Sequence, residues 1–220
     1  MFRGLRADLN IIKEKDPAFP GKLQAFFIYQ GLHALIFYRI SHFLYKHHLK
    51  FLGRWLAFAG RFFTNIEIHP AAEIAHGVFI DHGAGLVIGE TAIVGEGCVF
   101  FHGATLGGTG HETGKRHPTI GKNVMVGSGS KILGNITVGD NTLVAANAVV
   151  LKNIPANCTV VGVPGKIVRK DGQRVMENCN QAQTLEALQL EMYALQERMR
   201  RMEQAMEELQ SVQTYPERYL

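Results

Sequence analysis

The sequence predicts an α+β protein in which a parallel β-helix follows a small α-helical domain and precedes a C-terminal coiled-coil helix. Three successive hydrophobic patterns support this prediction. Apolar residues recur at helical spacing over residues 1–66, every six residues over 67–168, and in steps of three and four over 184–210. Residues 169–183 are predicted to be a linker, and residues 211–220 a flexible tail.

The helical domain contains two breaks, each marked by a proline. A short amphipathic segment should end before Asp16-Pro17, because proline disfavours helix in the residue before it. After Pro20-Gly21, apolar and aromatic residues recur at helical spacing over 22–45 and again over 51–63. Polar residues interrupt the apolar run at 23–40, so a buried helix is favoured over a membrane span.

One aliphatic residue, in one case a phenylalanine, recurs every six residues through the central region. This period matches neither the 3.6 of an α-helix nor the two of a long strand. It is typical of short parallel strands joined by tight turns, with three sixes to each triangular coil and the coils stacked on a common core. The positions are Ile68, Ile74, Ile80, Ile88, Val94, Phe100, Leu106, Ile120, Val126, Ile132, Val138, Val144 and Val150.

Two interruptions of this count lie beside polar residues that could carry chemistry. Two extra residues precede Ile88, shortly after Asp81-His82, and eight precede Ile120. The second interruption contains the Gly-rich stretch 107–118, which we predict to be a loop extruded from the coil. Such loops often carry functional residues. This one ends in Arg116-His117-Pro118.

Glu67 precedes His82 by fifteen residues, close to one coil of eighteen. A carboxylate one coil away can hydrogen-bond an imidazole, fix its tautomer and stabilise the imidazolium. Arg116 is suited to binding a carboxylate through two hydrogen bonds. Together with His117, these residues predict a general base, its orienting acid and an anion-binding group. Histidines elsewhere in the chain, such as His76, are interpreted as structural.

The C-terminal segment has an alternating apolar spacing that favours a parallel coiled coil over a helix folded back on the domain. The predicted seam consists of Leu185, Leu188, Met192, Leu195, Met199, Met202, Met206 and Leu209.

Composition favours a cytoplasmic protein that binds neither nucleic acid nor membrane. The net charge is +4 with dispersed basic residues, which is compatible with an anionic ligand such as a nucleotide phosphate. Cys98, Cys158 and Cys179 lie far apart without a CxxC pair, as expected in a reducing compartment. The N-terminus lacks a signal-peptide pattern.

The repeat resembles the left-handed parallel β-helix of hexapeptide acyltransferases, and the handedness is implied by that resemblance alone. More narrowly, residues 16–168 resemble serine O-acetyltransferase in a form with a short N-terminal region. The matching motifs are Asp16-Pro-Ala, Gly31-Leu-His-Ala, Ile68-His-Pro-Ala-Ala, Asp81-His82, Val87-Ile-Gly-Glu-Thr-Ala, Thr105-Leu-Gly-Gly-Thr-Gly, Arg116-His-Pro, Lys131-Ile-Leu-Gly-Asn-Ile and Gly162-Val-Pro. That family makes O-acetyl-L-serine from L-serine and acetyl-CoA, in L-cysteine biosynthesis.

The resemblance implies roles for the matching residues. His82 would be the general base, oriented by Glu67, and serine would attack the thioester without an acyl-enzyme. Asp16 and Asp81 would receive the serine amino group, while Arg116 and His117 would bind and position its carboxylate. Acetyl-CoA would lie between neighbouring coils, and no metal is expected. Its predicted contacts are Gly108, Gly127, Ala146 and Lys166.

The resemblance also implies a homotrimer with active sites between subunits. The short N-terminal region favours a free trimer over the hexamer of longer members. The final Leu220, where longer members often have isoleucine, weighs against a complex with O-acetylserine sulfhydrylase.

Three other functions remain open at this level. A related acyltransferase could act on a different hydroxyl, although Asp16, Asp81 and Arg116 suit a zwitterionic amino acid. A trimeric metalloenzyme like γ-class carbonic anhydrase could bind zinc through His82, His111 and His117. A non-catalytic scaffold is the third, and the polar loop argues against it.

Overall fold

The computed structural model describes residues 2–110, 112–175, 192, 195, 196, 198–202 and 206. The chain forms two compact units, Met1–Val175 and Met176–Leu220. The first contains the N-terminal helices and the repeat region, and the second contains the C-terminal helical segment.

The first unit begins with four helices. These are α1 (Phe2–Lys15), α2 (Lys22–Ile28), α3 (Gln30–Lys46) and α4 (Lys50–Thr64). The end of α1 directly before Asp16-Pro17 is the end that the sequence predicts. The helical pattern over 22–45 is divided between α2 and α3, because Tyr29 adopts an extended conformation between them.

Helix α3 packs against the open end of the coil and closes its core. Its residues Ala34, Leu35 and Tyr38 belong to the same buried cluster as Ile66 and Ile80. The helix approaches so closely that a Cβ at Gly31 would lie 2.1 Å from the carbonyl oxygen of Ile80. A glycine is therefore required at this contact.

Short strands follow, separated by tight turns. They are β1 (Glu67–Ile68), β2 (Glu73–Ile74), β3 (Phe79–Asp81), β4 (Val87–Ile88), β5 (Ile93–Val94), β6 (Val99–Phe101), β7 (Thr105–Gly107), β8 (Thr119–Ile120), β9 (Met125–Val126), β10 (Lys131–Leu133), β11 (Thr137–Val138), β12 (Leu143–Val144), β13 (Val149–Val150), β14 (Cys158–Val161), β15 (Lys166–Lys170) and β16 (Gln173–Arg174).

These strands form three sheets that are the sides of a β-helix. Sheet 1 contains β1, β4, β7, β10 and β13, and sheet 2 contains β2, β5, β8 and β11. Sheet 3 contains β3, β6, β9, β12 and β14, and continues antiparallel into β15 and β16. All pairings between successive coils are parallel, so the predicted architecture of helices followed by a β-helix is confirmed. Strand structure extends past residue 168, where the sequence placed the end of the repeat.

The residues that recur every six positions form the core of the β-helix. All thirteen are buried, from Ile68 to Val150. Cys98 is also buried, and burial raises the pKa of its thiol to about 11. Asparagines fill left-handed turn positions in this unit, among them Asn123, Asn141 and Asn157. The hydrophobic period therefore encodes the inward face of each strand.

The two interruptions of the repeat lie at two different edges of the prism. The first corner joins sheet 3 to sheet 1 and includes residues 82–86. Its successive turns are joined by backbone hydrogen bonds, such as Gly103 N–H to the Ala84 carbonyl at 2.9 Å and Gly129 N–H to the His102 carbonyl at 2.9 Å. The second corner joins sheet 1 to sheet 2 and includes residues 89–92 and the loop after Gly107.

In the second unit, the described residues are helical. Five of them, Met192, Leu195, Met199, Met202 and Met206, belong to the predicted seam and are 56–68% exposed. Leu185, Leu188 and Leu209 lie outside the described residues, as do the linker from residue 176 and the tail 211–220. Pairing of this helix with another chain stays a prediction. Among the described helices, none is both long and apolar enough to cross a bilayer.

Candidate active site

Three of the predicted site residues meet in one cavity at the first corner. Asp16, Asp81 and His82 line a cavity of about 400 Å³ together with residues of α2 and α3. Asp81 ends β3, and its Oδ1 lies 3.7 Å from Nε2 of His82. Asp16 follows α1 directly, so the proline that ends this helix also places its carboxylate here. One imidazole and two carboxylates thus share a solvent-accessible space.

His82 has an unusual backbone conformation. Its φ is 56°, in the left-handed region. The turn is tight, with hydrogen bonds from Gly83 N–H to the Asp81 carbonyl and from Ala84 N–H to the His82 carbonyl, at 2.7 and 2.6 Å. The side chain is 81% exposed. The two extra residues of the first interruption form this turn and direct the imidazole outward.

Tyr29 is a residue of this cavity that the sequence reasoning missed. Its hydroxyl donates a hydrogen bond to Asp16, whose other carboxylate oxygen accepts from Ala18 N–H at 2.8 Å. Burial, followed by the hydrogen bond with Asp16, raises the pKa of Tyr29 to about 12. Tyr29 is therefore a protonated donor at neutral pH. No periodic pattern could identify it, because it lies at a break between helices.

Glu67 begins β1, directly below the same corner. Its N–H donates to the Leu86 carbonyl at 2.9 Å, so its backbone lies one coil beneath the turn that contains His82. Its carboxylate is 2.9 Å from the guanidinium of Arg61 on α4. In this structure, the two side chains predicted to pair have different neighbours: Arg61 for Glu67 and Asp81 for His82.

Arg116 and His117 lie at the second corner. The loop returns from β7 and packs its end on the turn below, residues 89–91. His117 is 8% exposed. Burial, followed by the nearby Arg116 charge, lowers the pKa of His117. Arg116 forms an ion pair with Glu90, which lowers the pKa of that carboxyl.

A lysine fixes the end of this loop. Nζ of Lys115 donates to the carbonyls of Thr91 and His117 at 2.7 and 2.6 Å. Desolvation by burial lowers the pKa of Lys115. The orientation of the Arg116-His117 pair is therefore set by contacts within the chain.

The predicted CoA contacts are distributed over the coil. Gly127 and Ala146 are adjacent, since a Cβ on Gly127 would lie 2.6 Å from the Ala146 nitrogen. Both lie near the first corner, above His82. Gly108 lies in the loop at the second corner, next to the Arg116 carbonyl, and Lys166 begins β15. Of the four predicted contacts, the structure therefore brings only Gly127 and Ala146 together.

No cluster of three or more potential metal-ligating side chains occurs among residues 2–110 and 112–175 or the described part of the C-terminal helix. His82 and His117 lie at different corners of the chain, and His111 lies outside the described residues.

Residues 117–152 match the family model for bacterial transferase hexapeptide (six repeats). The β-helix is thus that of a hexapeptide transferase.

More specific relatives cover most of the chain. A serine acetyltransferase of Synechocystis is 55% identical over 80% of this chain and 70% of its own length. One of Bacillus subtilis is 41% identical over 81% of this chain and 82% of its own. The chain belongs to the serine acetyltransferase family.

Solved structures agree with this assignment. Neisseria gonorrhoeae serine acetyltransferase in complex with serine is 41% identical, with a TM-score of 0.74 over 76% of this chain and 69% of that one. The Brucella abortus enzyme in complex with coenzyme A is 42% identical, with a TM-score of 0.75 over 77% and 68%. This chain spans about two thirds of the length of these structures.

Proposed function

We propose that this protein transfers the acetyl group of acetyl-CoA to the hydroxyl of L-serine, giving O-acetyl-L-serine and CoA for L-cysteine biosynthesis. The observation that carries the proposal is the convergence of Asp16, Asp81 and His82 on one cavity at the first corner. Two carboxylates suit a substrate ammonium group, and an exposed imidazole can accept the proton of a hydroxyl.

The imidazole of His82 removes the serine hydroxyl proton as the oxygen attacks the thioester carbonyl. The tetrahedral intermediate then collapses by breaking the carbon–sulfur bond. The proton held by His82 passes to the departing thiolate, which restores the neutral base. Glu67 orients the imidazole of His82 from its position one coil below. To do so, the Glu67 carboxylate must leave its ion pair with Arg61 and form a hydrogen bond to His82.

The serine carboxylate is bound by Arg116 and positioned by His117. In one chain these residues lie across sheet 1 from His82, separated by roughly 10 Å or more of extended backbone. The ammonium and carboxylate groups of serine are attached to the same carbon atom. A complete site therefore needs the first corner of one chain beside the second corner of another, which supports a homotrimer with its sites between subunits.

The outer surface of α4 also supports association with further copies. Phe51, Trp55, Phe58 and Phe62 follow one another at steps of four and three, and they are 58–83% exposed. Phe58 lines a cleft with Arg61 and Glu67, which places this aromatic surface next to sheet 1. Contiguous exposed apolar surface of this kind marks interaction sites.

The acetyl-CoA site extends along the first corner from His82 towards Gly127 and Ala146. Gly127 N–H already donates to the Val144 carbonyl at 2.8 Å, so the contribution of Gly127 is the close approach of neighbouring coils that a glycine allows. The backbone of Ala146 beside it is the proposed contact of the pantetheine amides. Gly108 and Lys166 complete the proposed set, with Lys166 near a phosphate. We place the protein in the cytoplasm, in keeping with free and buried Cys98 and Cys158.

The test is release of CoA thiol from acetyl-CoA with L-serine, L-threonine, L-homoserine and a sugar as acceptors. L-Serine should be preferred, and His82→Ala should lose at least about two orders of magnitude in kcat, as expected for removal of a general base. His76→Ala is the matched control. This variant should retain activity, because His76 lies at the edge between sheets 2 and 3 and does not line the cavity. Near-normal turnover of His82→Ala, or an absolute requirement for bound zinc, would contradict the proposal.

A further inference from the structure

Two donors converge on one nitrogen of the His117 ring. The backbone N–H of Thr91 lies 3.2 Å from Nδ1, and the Thr91 hydroxyl oxygen lies 2.9 Å from the same atom. The hydroxyl oxygen also accepts two backbone N–H groups, those of Arg116 and His117, each at 3.0 Å. One threonine side chain thus contacts the ring and the backbone that carries it.

These contacts determine where the imidazole proton lies. A backbone N–H can only donate, so Nδ1 must present its lone pair and the ring proton must be on Nε2. The Thr91 oxygen accepts two amide protons, which leaves its own proton to be directed at Nδ1. A doubly protonated ring would place an N–H against the Thr91 N–H and lose both hydrogen bonds.

The surroundings of the ring oppose protonation further. Burial and the Arg116 and Lys115 charges all lower the pKa of His117, with Glu90 as the opposing carboxylate and His69 as a further neighbour. The position of the ring is equally restricted. It lies so close to Gly89 that a Cβ there would be 2.2 Å from Nε2.

We propose that Thr91 is a positioning residue that holds His117 as the neutral Nε2–H tautomer. His117 then serves the acyl transfer as a hydrogen-bond donor to a negatively charged substrate oxygen, and not as a second base. This inference rests on the proposed function for its substrate, but the tautomer itself is a property of the protein alone. The oxygen that accepts this hydrogen bond belongs to the serine carboxylate. The kinetic test distinguishes it from the other possible acceptor, the oxyanion of the tetrahedral intermediate.

The tautomer can be measured directly with protein labelled with ¹⁵N at histidine. In the wild type, the His117 signals, assigned by their loss in His117→Gln, should report a proton on Nε2 and none on Nδ1 near neutral pH. Thr91→Val removes the hydroxyl that contacts Nδ1 and also accepts the Arg116 and His117 N–H groups. The ring should then move away from the Thr91 N–H that selects the tautomer, so a mixture of tautomers should appear. Thr91→Ser keeps the hydroxyl and should restore the wild-type signals. A proton on Nδ1 in the wild type would overturn the inference.

Kinetics of the same three proteins give the second readout. Thr91→Val should lower kcat/KM for L-serine about tenfold, the effect of about one lost hydrogen bond, while Thr91→Ser stays within about threefold of wild type. A rise in KM for serine identifies the carboxylate as the acceptor, and a fall in kcat identifies the oxyanion. A Thr91→Val protein that melts at a lower temperature but keeps its tautomer and its kcat/KM would show a merely structural role and refute the proposal.

The two proposals fail in different ways. A wild-type protein with the Nε2–H tautomer but no transfer to serine would contradict the proposed function and leave the role of Thr91 in setting the tautomer standing. An active wild-type enzyme with a proton on Nδ1 would do the reverse.

Discussion

Removing the Tyr29 hydroxyl should weaken serine binding while leaving the fold intact. In Tyr29→Phe the aromatic ring keeps its contact with Phe79, at 6.5 Å between ring centroids, and only the hydrogen bond to Asp16 is lost. The Asp16 carboxylate then keeps one donor, Ala18 N–H, and can rotate away from the orientation proposed for binding the substrate ammonium group.

The size of the effect follows from the contact. A hydrogen bond to a charged acceptor contributes about 1.5–3 kcal/mol, and the lower end applies in a cavity open to solvent. About 1.4 kcal/mol corresponds to tenfold in affinity. We therefore expect KM for serine to rise about tenfold while kcat falls less than about threefold, since the base is unchanged.

The assay is the initial rate of thiol release at saturating acetyl-CoA over a range of serine concentrations. Tyr38→Phe is the matched control, because the Tyr38 hydroxyl donates to the Ala72 carbonyl at 2.6 Å within the core and has no place in the cavity. That variant should lose stability and keep its KM. An unchanged KM in correctly folded Tyr29→Phe would refute the role assigned to Tyr29 and weaken that of Asp16.

Three further predictions concern carboxylates and histidines elsewhere in the first unit as well as beside this cavity. Glu67→Gln, which keeps the side-chain shape without its charge, should lower kcat at least about tenfold if the carboxylate supports the base; full activity in the thiol assay would remove it from the mechanism. Asp8→Ala should lower the free energy of unfolding in urea by about 3–5 kcal/mol, because it leaves the charge of Arg39 partly buried and unpaired, and Arg39→Met in the same chain should recover part of that loss. Burial lowers the pKa of both His69 and His117 in the folded protein, so the unfolded chain binds protons at these histidines at a higher pH. Stability should therefore fall as the pH decreases below about 6.5. A melting temperature that stays constant between about pH 7.5 and 5.5 would contradict this.

The sequence was most informative where the chain is periodic. Each coil can bury only residues that point inward, so the six-residue recurrence determined both the sheets and the core. The place of His82 at an interruption followed from the same count. Within each uninterrupted stretch of the repeat, the side of the coil on which a residue lies could therefore be predicted from its place in the six-residue count.

Side-chain partners away from the repeat were less predictable. The loop after Gly107 has no period, so its return to the turn at Thr91 could not be read from spacing. The position of Tyr29 in the cavity depends on the break between α2 and α3, which the hydrophobic spacing did not locate. Arg61 pairs with Glu67 across the junction where α4 ends at Thr64 and β1 begins at Glu67, and neither the helical nor the six-residue period describes that junction. Such contacts arise from packing between elements, which residue spacing does not describe.

The left-handed backbone at His82 has a consequence for the evolution and engineering of this protein. A side chain with a Cβ costs about 1–2 kcal/mol in that conformation, whereas glycine adopts it freely and asparagine tolerates it. Asparagine already fills comparable turns at Asn123, Asn141 and Asn157. Selection for heat resistance alone would therefore favour His82→Gly or His82→Asn, which would give a more stable protein that lacks the proposed general base. The proposed role of His82 as the base accounts for a histidine at this turn in spite of its cost in stability.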